Sequence, residues 1–346
     1  MNPLSKILIE DSENITNKIN FENLNNKSIL ITGATGLIGS YLLGCLYTLK
    51  TTRQYKTKVN ILTHSDPPEF IKPFIEGLDC NIYQGDAADS QFLKTLPKAD
   101  YIIHAAGYGQ PGKFMEDPIK TIQINTSATL ELFEHLNKDG SFLFLSSSEV
   151  YSGLKSPPFS ESQIGNTNTD HPRASYIEGK RMGETICAEF RRQGINAKSA
   201  RVSLAYGPGT KEHDKRVLNN FIEKALTLGK IELLDKGEAK RTYCYITDAV
   251  ELLWDILLFG KDTIYNVGGN SRVTIAELAK LIAKETGVDI HFPENSAELT
   301  GAPEDVYLDL TKVKEEFGKH EFVSLDKGIK NTINWQKNLY NKHSLL

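Results

Sequence analysis

The sequence predicts an α/β protein built on a doubly wound parallel sheet, with a smaller lobe attached. Three observations carry this: apolar runs recur along the chain, helix-length amphipathic segments separate most of them, and a glycine triplet joins the first run to the first helix. The runs are "SILIT" at 28, "KVNILT" at 58, "CNIYQ" at 80, "DYIIHAA" at 100, "SFLFLSS" at 141, "AKSARVS" at 197 and "TIYNV" at 263. Their near-continuous apolar character fits strands buried on both faces, as in parallel sheets covered by helices. A length of 346 residues accommodates one large α/β unit and a smaller partner. Two Pro/Gly/Ser/Asn-rich breaks, "GLKSPPFSESQIGNTNTDHP" and "GPGTKEHDK", follow strands on the side where such sheets bind ligands.

The remaining composition narrows the function by exclusion. A hydrophobic share of 40%, a charged share of 24% and a formal charge of −4 give no electrostatic reason to expect nucleic acid or an anionic membrane. Cys45, Cys80, Cys187 and Cys244 are widely spaced with no C-x-x-C pair, so they are expected to be reduced and mostly buried, with no metal site. The N-terminus lacks a basic start followed by an apolar core, and no later segment is apolar enough to span a bilayer, so the expected location is cytoplasmic. The Asn-rich opening reads either as a short amphipathic helix with a linker or as a frayed tail.

In "ILITGATGLIGSYLLGCLYTL" the glycines Gly33, Gly36 and Gly39 close a strand and open a helix. One permits a tight turn, one lets backbone N–H groups approach a pyrophosphate, and the last allows close packing, while the helix N-terminus favours negative charge. That pattern predicts a dinucleotide held by Gly33, Thr35, Gly36, Leu37, Ile38 and Gly39. "QGDAAD" and "HAAG" end the third and fourth strands and put Asp86, Ala87, Ala105, Ala106 and Gly107 beside it, although an Asp there equally serves as a helix cap. At the end of the second strand Thr63 stands where an acidic residue would hold a ribose 2′-OH, Asp66 falls slightly late, and no Arg follows to take a 2′-phosphate. This points to NAD, with NADP not excluded.

Tyr176 and Lys180 in "SYIEGKRMGE" lie four apart, a spacing that Tyr151 and Lys155 share. Context separates the two pairs. On a helix, residues four apart share a face, whereas Tyr151 and Lys155 precede Pro157 and Pro158, where no helix aligns them. A phenol of pKa about 10 is a poor base near neutrality, but an adjacent cation favours the phenolate. "FLFLSSSEVYSG" places Ser146, Ser147, Ser148 and Glu149 at the end of the fifth strand, so a Ser hydroxyl can hold a substrate oxygen opposite Tyr176.

The glycine triplet, "SSSEVY", "SYIEGKRMGE" and "YGPG" together resemble the extended short-chain dehydrogenase/reductase family of nucleotide-sugar epimerases, dehydratases and decarboxylases, over roughly residues 27 to 340. The resemblance implies a Rossmann-like domain and a catalytic set Ser147, Tyr176 and Lys180, with Asn125 of "INTSATLEL" near the nicotinamide. It also implies a nucleotide-diphosphate-sugar substrate bound by Ser148, Asn220, Arg216 and Arg241, and a homodimer pairing the helix around 117 to 137 with the Tyr176 helix. The expected division is 1–26 as an N-terminal extension, 27–203 plus 242–267 as the dinucleotide domain, and 204–241 plus 268–346 as the substrate lobe.

In such a family Tyr176 takes the sugar 4-hydroxyl proton while hydride leaves C4, giving a 4-keto sugar. The dehydratases' Asp–Glu pair is absent, since Ser148 precedes Glu149. "PRASYIEGKR" and "SSSEVY" are similar to UDP-glucuronate decarboxylases, yet Val306 of "GAPEDVYLDL" stands where their late Arg falls, and Leu204 replaces an Asn. An epimerase needs least beyond the core set and is the leading expectation, with Glu149 either a second acid/base group at C3 or C5 or a loop cap. A decarboxylase, a 4,6-dehydratase, a C4 dehydrogenase and a dinucleotide-sensing module are the alternatives.

Overall fold

The computed structural model describes residues 2–293 and 305–340. The elements run α1 (Pro3–Thr16), β1 (Ser28–Thr32), α2 (Leu37–Arg53), β2 (Lys58–Thr63), α3 (Lys72–Leu78), β3 (Asn81–Gln84), α4 (Ser90–Leu93), β4 (Ala99–His104), α5 (Pro111–Glu116), α6 (Pro118–Asn125), α7 (Ser127–Phe133), β5 (Leu136–Ser147), α8 (Ala174–Arg192) and β6 (Asn196–Val202). Next come β7 (Leu204–Tyr206), α9 (Val217–Leu228), β8 (Lys230–Glu232), β9 (Lys240–Tyr245), α10 (Ile246–Phe259), β10 (Ile264–Val267), β11 (Ser271–Thr274), α11 (Ile275–Thr286), β12 (Asp289–His291), β13 (Asp305–Val306), α12 (Thr311–Phe317) and α13 (Leu325–Tyr340).

All seven apolar runs enter one parallel sheet, in the order β10-β6-β5-β4-β1-β2-β3. Side chains alternate across it, so Ile29 and Ile31 face the core formed with α2 and α10, while Leu30 joins Phe142, Phe144 and Leu132 on the other face. Strand order reverses between β1 and β4, which opens a crevice at their carboxyl ends. The Gly33 turn after β1 and the Ala105–Gly107 segment after β4 border that crevice.

The N-terminal segment is a docked helix rather than a frayed tail. Asn2 caps it by accepting the Leu4 amide at 3.0 Å, and Leu4, Leu8 and Ile15 are buried. It crosses α2 at Gly44, where a Cβ would come 2.4 Å from Ser12 Oγ, and Tyr41 of α2 donates to Asp11 at 2.7 Å.

A second sheet forms around β9, which pairs antiparallel with β11 and parallel with β7 and β13. A buried ion pair ties the loop over the cleft to the main sheet. Arg201 of β6 holds Glu184 of α8 through two bonds of 2.9 and 2.8 Å, and donates to the Tyr151 hydroxyl and the carbonyls of Glu161 and Gln163. Removing one partner of such a pair typically costs about 3–5 kcal/mol, because the other charge is left unpaired. All four cysteines are free, and among the described residues no helix is long and apolar enough to cross a membrane.

Candidate active site

The three glycines divide their tasks as the sequence suggests. Gly33 has φ +71°, and a Cβ there would lie 2.6 Å from the Ala105 carbonyl oxygen. At Gly39 a Cβ would lie 2.4 Å from Gly33 O, so helix and turn pack too closely for a side chain. Gly36, the N-cap of α2, meets nothing nearer than 3.4 Å and leaves the helix N-terminus open. Leu37 and Ile38 begin that helix, whose first amides lack intrahelical acceptors, while Thr35 is buried beneath.

Beside this turn, Ala106 N–H donates to Thr32 Oγ1 at 3.0 Å, and Thr32 Oγ1 contacts His104 Nδ1 at 2.8 Å. His104 Nε2 faces the Ile124 carbonyl at 2.9 Å, which makes Nε2 the protonated nitrogen and Nδ1 the acceptor. Burial pulls this imidazole down to about 4, so it stays neutral. Thr32 and His104 were not singled out in the sequence, although His104 begins the quoted "HAAG". Gly107 follows with φ +151° and lies beside Lys180, whose Nζ would be 3.7 Å from a Cβ.

Other cofactor candidates line the same crevice. Asp86 accepts the Ala88 amide at 2.9 Å and pairs with Lys120 at 2.5 Å, but the cap of α4 is Asp89, which accepts the Gln91 and Phe92 amides; Ala87 is buried. Thr63 Oγ1 is buried without a hydrogen-bond partner, and Asp66 accepts from Gln84 at 3.3 Å. Asn125 donates to Thr121 O at 2.7 Å, while its Oδ1 is buried and unpartnered. An open helix N-terminus, glycines where a Cβ would collide and an orphaned amide oxygen fit a dinucleotide.

Tyr176 and Lys180 share one face of α8, as their spacing requires. Lys180 Nζ donates to Leu145 O at 2.7 Å and lies 4.8 Å from the Phe144 ring centre and 5.7 Å from that of Tyr176. Burial pulls its ammonium down to about 7, opposed by Glu184 one turn along. Burial, helped by the negative charge of Glu149, pushes the Tyr176 phenol up to about 12, opposed by a hydrogen bond with Ser147 and by the positive charges of Arg173 and Arg216. Ser147 Oγ also accepts the Glu149 amide at 3.2 Å, which fixes the short 3₁₀ turn Ser148–Tyr151. The decoy pair is dispersed, since Tyr151 turns inward to Asn266 at 2.7 Å and Lys155 is exposed on the loop.

Arg173 and Arg216 lie close enough to act on the Tyr176 charge, and Arg241 on that of Arg173. Arg216 pairs with Asp214 at 2.5 Å, and Arg241 is held below the usual arginine range by burial, opposed by Tyr243 and Glu149. Asn220 lies one turn into α9, partly exposed. Ser148, Glu149, Leu154, Phe159 and Val306 line a cavity of about 450 Å³. Val306 pairs in register with Arg241, and Leu204 sits on β7 opposite Tyr243. Two residues carry more than the sequence reading gave them. Arg173 donates to Glu149 at 2.6 Å, and Phe114 stacks on Tyr176 at 4.5 Å with an interplanar angle of 9°. The signal for Arg173 was its place three residues before Tyr176; Phe114 had none.

A dinucleotide crevice joined to a Ser–Tyr–Lys set defines a class of NAD-dependent enzymes working on alcohols and ketones. More narrowly, the chain belongs to the NAD dependent epimerase/dehydratase family, whose sequence profile matches residues 29–268. It is an enzyme of that family, and NAD is its cofactor. It is 30% identical over 313 residues to UDP-glucuronic acid decarboxylase 1 of Xenopus tropicalis, covering 89% of this chain and 72% of that protein. It is also 30% identical over 310 residues to UDP-glucuronic acid decarboxylase 6 of Arabidopsis thaliana, covering 88% and 87%. A dTDP-glucose 4,6-dehydratase from Streptomyces venezuelae, solved with NAD, superposes with a TM-score of 0.79 at 22% identity over 91% of this chain and 98% of that one. The UDP-glucuronic acid 4-epimerase of Bacillus cereus, in complex with UDP-glucuronic acid and NAD, gives 0.74 at 24% identity over 90% and 100%. At these identities the structural likeness is one of fold.

The buried ammonium predicts a pH-dependent stability. Its folded value of about 7 lies below the reference value of 10.5, so between them the unfolded chain binds more protons and stability rises with pH. The cost of burying Lys180 is therefore full below that window and gone above it. Lys180→Met should raise the thermal unfolding temperature most near neutrality, with the gain shrinking toward about pH 10. Thermal unfolding across that range checks it; a gain independent of pH would contradict the assignment.

Proposed function

We propose that the protein is a nucleotide-diphosphate-sugar epimerase acting through a 4-keto sugar. One observation carries this reading: a buried phenol beside Ser147, on one helix face with a buried lysine, at the edge of a dinucleotide crevice. Ser147 orients the sugar 4-hydroxyl, and Tyr176 takes its proton as C4 becomes a ketone. Lys180 favours the phenolate by its charge. NAD, when bound, supplies the hydride acceptor for C4 and the donor that restores the alcohol. Gly33, Thr35, Gly36, Leu37, Ile38 and Gly39 would hold its pyrophosphate, with Asp86, Ala87, Ala105, Ala106, Gly107 and Asn125 around the rest. Arg216, Arg241 and Asn220 would hold the substrate diphosphate, and Ser148 and Glu149 the sugar, with Glu149 a second acid/base group at C3 or C5.

Decarboxylation is the second reading, because the curated relatives are UDP-glucuronic acid decarboxylases. A 4-keto uronate is a β-keto acid, and its loss of carbon dioxide moves the C5–C6 electron pair into an enolate at the C4 oxygen, so it asks for hydrogen-bond donors at that oxygen and a cation to bind the carboxylate. The apolar Val306 weighs against it, and Arg241, in register with Val306, is the group that would serve instead. We further propose the two-lobed division at 27–203 plus 242–267 and 204–241 plus 268–346, a cytoplasmic location, and a homodimer. Exposed Ile119, Ile122, Leu130 and Met182 on α6, α7 and α8 offer an apolar face for the dimer, and a monomeric mass by sedimentation would remove that part.

Mass spectrometry after incubation with NAD and UDP-, GDP-, CDP- and dTDP-sugars, uronic acids included, tests the reading. An isomerised sugar of unchanged composition is expected, and Tyr176→Phe should lower kcat by about 10²–10⁴-fold. Loss of carbon dioxide would establish the decarboxylase, loss of water a dehydratase, and stoichiometric reduced cofactor a dehydrogenase.

A further inference from the structure

Two polar atoms in the cleft are buried without a hydrogen-bond partner: Glu149 Oε2 and Arg173 Nε. They belong to one ion pair, joined through their other ends at 2.6 Å. Guanidinium and carboxylate groups frequently meet through two parallel hydrogen bonds, yet here each keeps one atom back. The surroundings account for this. Arg173 Cζ lies 5.5 Å from the centre of the Phe114 ring, and that ring is stacked on Tyr176 at 4.5 Å. Phe114 is 1% exposed, so it has no room to swing aside. Its helix α5 begins at Pro111, and the next helix is capped by Asp117 accepting the Lys120 amide at 3.2 Å. The Arg173 backbone N–H is fixed to His171 Nδ1 at 3.1 Å. Arg241, from β9, acts on both charges, attracting Glu149 and repelling Arg173.

We propose that Arg173, clamped against Phe114, is a positioning residue that leaves Glu149 Oε2 free and aimed at the substrate, and that Phe114 ties this aim to the position of Tyr176. The inference rests on the 4-keto reading and deepens it. Once C4 is a ketone, the C–H bonds at C3 and C5 are acidic. Glu149 Oε2 takes one of those protons, and the C–H electron pair moves into the C–C bond as the C4 oxygen becomes an enolate beside the Ser147 and Tyr176 hydroxyls. Return of a proton to carbon restores the ketone. The carboxylic acid of Glu149 exchanges with water meanwhile, so carbon acquires solvent hydrogen. No oxidant or reductant beyond the family's NAD is needed. The unpartnered Oε2 also favours a sugar that presents hydrogen-bond donors at this point, and disfavours one that presents a carboxylate.

The experiment compares two rates in one sample: nicotinamide reduction in the first turnover, and deuterium uptake at sugar carbon in heavy water. The probes are UDP-glucose, UDP-N-acetylglucosamine, UDP-glucuronate and dTDP-glucose with the full chain and NAD. Arg173→Gln should lower deuterium uptake by about ten- to a hundredfold beyond the fall it causes in nicotinamide reduction, since its charge also favours the Tyr176 phenolate. Arg173→Lys should recover most of the uptake. Phe114→Leu should reduce uptake too, and the double variant should lose less than the two single losses combined, because both act through one contact. A parallel fall of both rates in Arg173→Gln, with no recovery in Arg173→Lys, would mark a merely structural role and overturn the proposal. Turnover by the wild type with no deuterium uptake would overturn this inference and leave the 4-keto reading standing. Absence of nicotinamide reduction with every sugar would overturn both.

Discussion

A lysine ammonium held out of water against the Leu145 carbonyl is the constraint on which the rest of the site depends. It requires α8 to lie directly on the end of β5. Gly183 makes that approach possible, since a Cβ there would come 2.3 Å from the Phe144 ring, and Gly179, where one would come 3.3 Å from Asn125 Cβ, lets the same helix lie close to α6. Glu184, one turn beyond Lys180, then anchors the helix to β6 through Arg201 and to β5 through Ser146, at 2.5 Å. Arg201 in turn holds the loop that carries the substrate cavity. Buried lysine, helix position and cavity wall thus form one connected structure.

Burial acts on the two central groups in opposite chemical directions. It disfavours the charged form of each, lifting the Tyr176 phenol and lowering the Lys180 ammonium, so the free site rests near neutrality with its proton on oxygen. The conversion of that phenol to a base then depends on added positive charge. Part is already present in Arg173 and Arg216, set against the negative charge of Glu149, and the rest would come with an oxidised nicotinamide. Arg216 and Arg241 suit the double negative charge of a nucleotide diphosphate, whereas the cavity is lined by Leu154, Phe159 and Val306 as well as Glu149.

The seven strands of the main sheet were legible because strands buried on both faces must be apolar almost throughout, a pattern that stands out in a single sequence. The glycine turn and the Tyr176–Lys180 face were legible for a similar reason, each having a local geometric requirement. The short strands β7, β11 and β13 had none, because they exist by pairing with β9 rather than by their own composition. Helix α1 reads as polar with a few apolar residues, and only Gly44 and Tyr41, thirty residues later, show what it packs on. Phe114 lies in a stretch that reads as loop; its stacking on Tyr176 arises from the crossing of two chain segments far apart in sequence. Asp86 illustrates the opposite case, a residue with two physically sound sequence readings, of which the helix cap is taken instead by Asp89, three residues on.

The account stands most directly on the ionisation of Tyr176, which can be followed by carbon NMR of tyrosine labelled at Cζ, with Tyr176→Phe to assign the signal. In the free protein this tyrosine should remain a phenol well above the ordinary titration range, toward about 12, and on addition of NAD its midpoint should fall markedly while other tyrosines stay put. A Tyr176 that titrates at the same pH with and without NAD, or at an ordinary tyrosine value in the free protein, would contradict the claim that burial stores the proton and the bound cofactor's charge releases it.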